Sequence, residues 1–265
     1  MKKIKKTKKK KKTILEMIAL GSKTAKNGFK SERDIVKKFV NWKDDADAKE
    51  WLALMGYKIN DIEKVEAVIL HGHKTDVQVK ITIYLKSAIS SENLSIKRVS
   101  NLKQGFNQID KRWVDKYKEM WSIPSDVVTI LKMFTGEIRP DQSLKLKDKK
   151  KRRMLFTEMD QRSQDKILVF FNANKILIVS DILKGRDLFP AEWMMVAVNF
   201  DNKTRWVLKS INQVMNIFGQ GDVRITKDGS IKIGKIGIQR KGGDRGRPTA
   251  NMLQFKINPL ELFNK

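Results

Sequence analysis

The sequence predicts an α/β protein in which a mixed central sheet is flanked by helices. Two observations carry this reading. From Asp76 to Leu85 the pattern alternates strictly, with Val77, Val79, Ile81, Ile83 and Leu85 pointing one way and Asp76, Gln78, Lys80, Thr82 and Tyr84 the other, which is the period of a strand. On either side of this run, apolar residues instead recur every three or four positions, the helical period. No internal repeat and no Pro- or Ser-rich linker interrupts the chain, so residues 14–265 read as one α/β unit with lobes.

The elements follow in order. Residues 1–13 form a lysine-rich tail predicted to be disordered, because a like-charge block buries too little surface to offset its ordering entropy. Ser31 is a good N-cap, and Ile35, Val36, Phe39 and Val40 then repeat at helical spacing, so a helix is predicted from Glu32 to Lys43. Glu32 starts that helix on its apolar face. A second helix spans Asp47–Met55 and ends at Gly56. Strands follow at Val65–Leu70, Asp76–Leu85 and Leu94–Val99, the last with Leu94 and Ile96 on one face and Ser95 and Lys97 on the other. Helical patterns return at Trp113–Trp121, Asp126–Phe134 and Asp160–Asn172, while Lys145–Arg153 reads as a loop or a helix start. Lys175–Val179, Trp193–Asn199 and Arg205–Leu208 read as strands and Ile211–Phe218 as a helix. Gly229–Arg240 alternates, and Met252–Ile257 can pair with it as a final strand.

The charge balance narrows the partners. Lysine and arginine number 56 against 30 acidic residues, for a net charge of +26. Self-repulsion on this scale points to a polyanion, with nucleic acid the default. Lys2–Lys12 contributes nine of these charges, so the remainder still carries +17. Cysteine is absent and there are two histidines, His71 and His73, which excludes disulfides and zinc clusters and leaves oxygen ligands for any metal. The longest apolar runs fall far short of the ~20 residues that span a bilayer. Ile14–Leu20 is short, carries Glu16 and lacks a cleavage site, so a cytoplasmic protein is expected.

Phosphodiester hydrolysis needs a hard divalent cation held by carboxylates and a lysine that orients or deprotonates water. Asp76 opens a strand on its polar face, Lys97 lies on the polar face of a later strand, and Glu32 faces inward from a helix that can pack on the same sheet. Lys80 shares the Asp76 face but stands ~13 Å along the strand, too far to share one phosphate. By spacing alone the plainer reading is favoured, with Asp76 a strand-start turn residue and Lys97 a solvated strand lysine.

The stretches Leu20–Lys26, Gly105–Lys111, Asp181-Ile182-Leu183, Pro190–Trp193, Ile238–Asp244 and Thr249–Lys256 resemble the HinP-type restriction endonucleases, which recognise GCGC and are distantly similar to MspI. The likeness runs from about Leu20 to Phe263, and Asp76 followed after eighteen residues by Ser95-Ile96-Lys97 resembles their PD-(D/E)XK arrangement. It implies a PD-(D/E)XK nuclease core, with a catalytic core over about 20–135 and a DNA-recognition lobe over about 140–263. It further implies a type II endonuclease cutting GCGC with magnesium (Mg2+), Asp76 as central metal ligand, Lys97 as the water-orienting lysine and Glu32 as an outer or second-metal carboxylate. Two positions depart from the motif: Thr75 replaces proline, and Ser95 stands where the general pattern has an acid and these enzymes an amide. A bridging water or the Ile96 carbonyl can fill the shorter reach of serine.

Gln239, Arg240, Lys241, Asp244 and Arg247, among Gly242, Gly243 and Gly246, can read guanine acceptors and the cytosine amino donor. In the resembled enzymes the loop at Phe106, Asn107 and Gln108 meets the minor groove, where an inserted side chain opens a base step; alone, Phe106 reads as a core aromatic. Lys145–Arg153 and Lys184–Arg186 are expected phosphate grips, and Lys2–Lys12 adds sequence-blind affinity. A cognate methyltransferase and a monomer or weak homodimer are expected. The alternatives are a non-catalytic basic nucleic-acid-binding protein and a family member inactivated at Ser95.

Overall fold

The computed structural model describes residues 32–70, 77–99, 105–148, 152–186, 188–200, 203–240 and 248–264. Helix α1 (32–40) and helix α2 (Ala46–Leu54) come first. Asp45 caps α2 by accepting from the Ala48 N–H at 3.0 Å, and Gly56 lies just beyond its end at φ 95°, as the sequence predicts. Strands β1 (Ile62–Ile69), β2 (Val77–Leu85) and β3 (Ile89–Val99) then form an antiparallel meander. Strand β5 (Trp193–Phe200) joins β3 in parallel, and β6 (Lys203–Ser210) closes the sheet antiparallel to β5, for the order β1-β2-β3-β5-β6.

This first sheet is a middle layer. On one face Val79, Ile81, Ile83, Leu94, Ile96 and Met195 pack against Ile35 and Phe39 of α1 and Trp51 and Leu52 of α2. On the other, Val99, Met194, Val196 and Val198 belong to a larger core. Burial on both faces explains why β5 reads as an apolar run rather than an alternation.

The larger core is shared with α3 (Val114–Trp121), α4 (Ser125–Thr135), α5 (Gln161–Ala173), α6 (Lys175–Leu183) and α7 (Ile211–Gly219). It also takes in a second sheet, β4-β10-β9-β8-β7, antiparallel throughout, built from β4 (Asn107–Arg112), β7 (Val223–Ile225), β8 (Ile231–Ile233), β9 (Ile236–Arg240) and β10 (Leu253–Ile257). The mixed α/β class with helix-flanked sheets is as predicted.

Three expectations change. Lys175–Val179 is the first half of helix α6, not a strand. Its buried residues Ile178, Val179, Ile182 and Leu183 repeat at i, i+1, i+4 and i+5 while Ile176 is exposed, so burial of a helical stripe overrides the β-branched preference of a short apolar run. Gly229–Arg240 is two strands rather than one. The step of three from Ile233 to Ile236 cannot keep both on one strand face, and a turn at Gly234 absorbs it, pairing Ile233 with Ile236; Gly234 has φ 55° and a Cβ there would lie 2.6 Å from the Gln220 carbonyl. Finally, Asn107 and Gln108 begin strand β4 rather than sitting in a loop.

Candidate active site

Strand β3 positions the central residues. Ser95 and Lys97 project from the face opposite Leu94 and Ile96, and both are buried, Ser95 completely and Lys97 to 5% exposure. Register places Ser95 beside Val77 of β2 and Met194 of β5, and Lys97 beside Val196. Two side-chain oxygens on this face, Ser95 Oγ and Asn93 Oδ1, are buried without a hydrogen-bond partner among the described residues. Such groups cost stability unless water, an ion or a ligand satisfies them. Asp76, the residue before Val77, lies outside the described residues, as do Lys241, Asp244 and Arg247.

Glu32 is buried at the start of α1. That helix packs on the Leu94–Ile96 face of the sheet, the face opposite Lys97. Ile96 directs its side chain into the helical core. Among the described residues no three His, Asp or Glu side chains gather around one point.

The end of β3 is tied to the start of β4. Asn107 Nδ2 donates to the Arg98 carbonyl at 3.2 Å, which holds Phe106 and Gln108 near the residue following Lys97. Phe106 is 55% exposed, so it is not the core aromatic that composition alone suggests, and Gln108 is exposed as well. Gly105 is required by close approach, since a Cβ there would lie 2.4 Å from Asn258 Oδ1. The second sheet then aligns Lys111, Gln254 and Gln239 across β4, β10 and β9, with Arg112, Leu253 and Arg240 in the adjacent register.

A family model for the R.HinP1I restriction endonuclease matches residues 55–263 of the 265-residue chain. The chain belongs to the R.HinP1I restriction endonuclease family. It is accordingly a type II site-specific deoxyribonuclease that binds and cuts double-stranded DNA. No curated protein matches the chain. The matched span holds Asp76, Ser95, Lys97 and every strand of both sheets, while Glu32 and Leu20–Lys26 precede it. No described helix is long and apolar enough to cross a membrane.

Two expected DNA grips of the endonuclease also make internal contacts. Arg186 Nε pairs with buried Asp181 at 2.6 Å, and the same carboxylate accepts from Trp121 Nε1 at 2.7 Å. Arg153 Nη2 donates to the Ala250 carbonyl at 2.7 Å and to Asn251 Oδ1 at 3.2 Å. Sequence reasoning also passed over Asn93, although strand parity alone puts it on the Ser95 and Lys97 face, two residues before Ser95. Lys80, its cross-strand partner, lies 5.5 Å from the Phe189 ring.

Beside the other end of β3 the endonuclease holds a carboxyl pair. Tyr57 Oη donates to Glu92 Oε1 at 2.5 Å, Trp193 Nε1 to Glu92 Oε2 at 2.8 Å, and the Asn93 N–H to Glu192 Oε2 at 2.8 Å. Burial and the neighbouring Glu92 raise the Glu192 carboxyl above its ordinary value, against the Asn93 N–H. Tyr57 is pushed up to about 12, by burial first and Glu92 second.

Proposed function

We propose that this endonuclease hydrolyses the phosphodiester backbone of both DNA strands at GCGC, with Mg2+ as cofactor and with Asp76, before β2, and the Ser95 and Lys97 face of β3 as its centre. The observation that carries this reading is the pair Ser95 and Lys97, buried side by side on one strand face with the serine hydroxyl unpartnered. A buried ammonium and an unsatisfied oxygen two residues apart are expensive in an ordinary sheet and useful at a phosphate.

The donor set fits a hard cation: the Asp76 carboxylate, the Ser95 hydroxyl directly or through water, and the Ile96 carbonyl are all oxygens. Glu32 is the proposed outer carboxylate, reaching from the start of α1. A divalent cation bound there supplies charge neutralisation at the phosphate and a more acidic water. Lys97 Nζ orients the attacking water and stabilises the charge that grows on the phosphoryl oxygens. Water oxygen bonds to phosphorus as the bond to the 3′-oxygen breaks, leaving a 5′-phosphate and a 3′-hydroxyl. Phe106 and Gln108 face the minor groove next to the scissile phosphate, and the segment of Gln239, Arg240, Lys241, Asp244 and Arg247 meets the DNA at the recognition site. The catalytic core of about 20–135 is completed by β5 and β6 from later in the chain, while the second sheet anchors the recognition lobe. A methyltransferase of the same specificity protects the host DNA in the cytoplasm, and the enzyme works as a monomer or weak homodimer.

Digestion of plasmid DNA with magnesium, followed by sequencing of the ends, tests this directly. Cuts confined to GCGC, lost on chelation and lost in Asp76→Ala with binding retained, are expected. Sequence-blind binding without cutting would favour a non-catalytic DNA-binding protein, and binding of GCGC without cutting would mark a site inactivated at Ser95.

A further inference from the structure

Arg240 ends β9 where the chain enters residues 241–247, and its guanidinium lies 5.7 Å from the Phe134 ring. That ring is itself held by stacking on Phe156, with centroids 4.2 Å apart. Arg240 Nη1 is buried and has no hydrogen-bond partner among the described residues. Burial first, and then the charge of Arg240, hold the Arg153 guanidinium below the ordinary arginine value. Burial does the same to Arg240, and the acids that oppose it, Asp148 and Glu158, act only through their charge.

The surroundings are rigid. Arg153 is tied to the Ala250 carbonyl and Asn251, Asn251 Nδ2 donates to the Gly136 carbonyl at 3.1 Å, and a Cβ on Gly136 would lie 2.8 Å from Arg153 Cγ. The charges of Arg240 and Arg153 repel, and a buried donor without an acceptor adds to that cost. A phosphate answers both problems, because its oxygens accept from the unpartnered Arg240 Nη1 while its charge cancels the repulsion between the two guanidinium groups. A base edge does not, since it brings no charge and must be reached by an arm extended into a groove, whereas the Arg240 side chain is laid over Phe134.

We propose that Arg240 and Arg153 together seat one backbone phosphate of the bound duplex, so that Arg240 sets the register of residues 241–247 on the DNA instead of reading a base. This rests on duplex DNA being the substrate but not on the GCGC assignment. The test measures binding, in magnesium-free buffer, of GCGC-containing and scrambled duplexes and of GCGC duplexes carrying a single neutral methylphosphonate at each position in turn. Wild-type protein should lose roughly tenfold in affinity at one position per strand. Arg240→Gln should lose a similar factor on both unmodified duplexes, become insensitive to that methylphosphonate, and show a salt slope lower by about one.

The seat is disproved if Arg240→Gln, folded with a wild-type melting temperature and circular dichroism, keeps the wild-type methylphosphonate profile, or if it loses GCGC discrimination alone. Should wild-type protein bind GCGC and scrambled duplexes equally, the GCGC reading falls, and the change in salt slope still decides the phosphate seat.

Discussion

Ser95 makes the site's chemistry and the fold's stability pull in opposite directions. Its hydroxyl is fully buried without a partner among the described residues, a cost that an alanine would remove. Ser95→Ala should therefore raise the stability of the metal-free protein by about 1 kcal/mol, read from urea unfolding. The same change should lower the cleavage rate at least tenfold or raise the magnesium needed for half-maximal cutting. A loss of stability together with unchanged cutting would make Ser95 an ordinary sheet residue. Lys97 sits at the same scale: Lys97→Met keeps the length of the buried stem but removes the ammonium. It should reduce turnover by several orders of magnitude while leaving duplex binding within a few-fold, as measured by single-turnover kinetics and anisotropy. Both residues were legible in the sequence through the parity of one strand, and so was Asn93, whose side chain that parity also places. What parity could not supply was burial. A lysine on the polar face of a strand reads as solvated, and only the packing of α3–α7 over that face shows that it is enclosed.

At the scale of elements, legibility followed the length of the periodic pattern. Helices α2, α3, α4, α5 and α7 were readable from spacing and caps, as was the β2 alternation from Val79 on, because each repeats its period several times; the bulge that pairs Val77 with Ser95 but Val79 with Leu94 was not. Helix α6 was not, because its five-residue apolar opening fits either period and the deciding contacts come from α7 and the larger core. The parallel join between β3 and β5 was also invisible, since their partnership spans about a hundred residues and leaves no local mark. Glu192 supports that join: its carboxylate accepts from the Asn93 N–H, and its own N–H donates to the Asn93 carbonyl at 2.9 Å. Glu92, Tyr57 and Trp193 crowd the same corner, and Lys184 is the cation whose charge opposes them. Because the folded state raises the Glu192 carboxyl above its ordinary 4.5, between that value and its folded one it holds a proton that the unfolded chain has released. The stability this gives is complete below that value and declines as pH rises through the folded value, then levels. Glu192→Gln keeps an acceptor for Asn93 and a donor for Glu92, so it should flatten this decline. Urea melts of both proteins between pH 4 and 8 read the difference, and parallel curves would assign the decline to other groups.

At the scale of the whole molecule, the charge of +26 is divided between two tasks that salt can separate. Nine lysines lie within Lys2–Lys12, and the rest of the chain keeps +17. The ordered arginines of that remainder are partly committed to internal contacts, as Arg186 is to Asp181, so net charge overstates what the folded surface offers to DNA. A run of nine lysines broken only by Ile4 and Thr7 has little means of reading bases, but each lysine that meets a phosphate releases a counterion and steepens the salt dependence by ~0.9. Removing Lys2–Lys12 should therefore lower the slope of log affinity against log salt by up to about eight, and by the same amount for GCGC and scrambled duplexes. Discrimination measured at any one salt concentration should not change, because the lost term is common to both. Cleavage at low salt should slow under limiting enzyme, through weaker capture of DNA, while single-turnover cutting of saturated enzyme stays constant. A truncated protein with an unchanged slope would show that the tail never engages the duplex, and the burden of sequence-blind affinity would then fall on the folded surface around β3, β4 and β9.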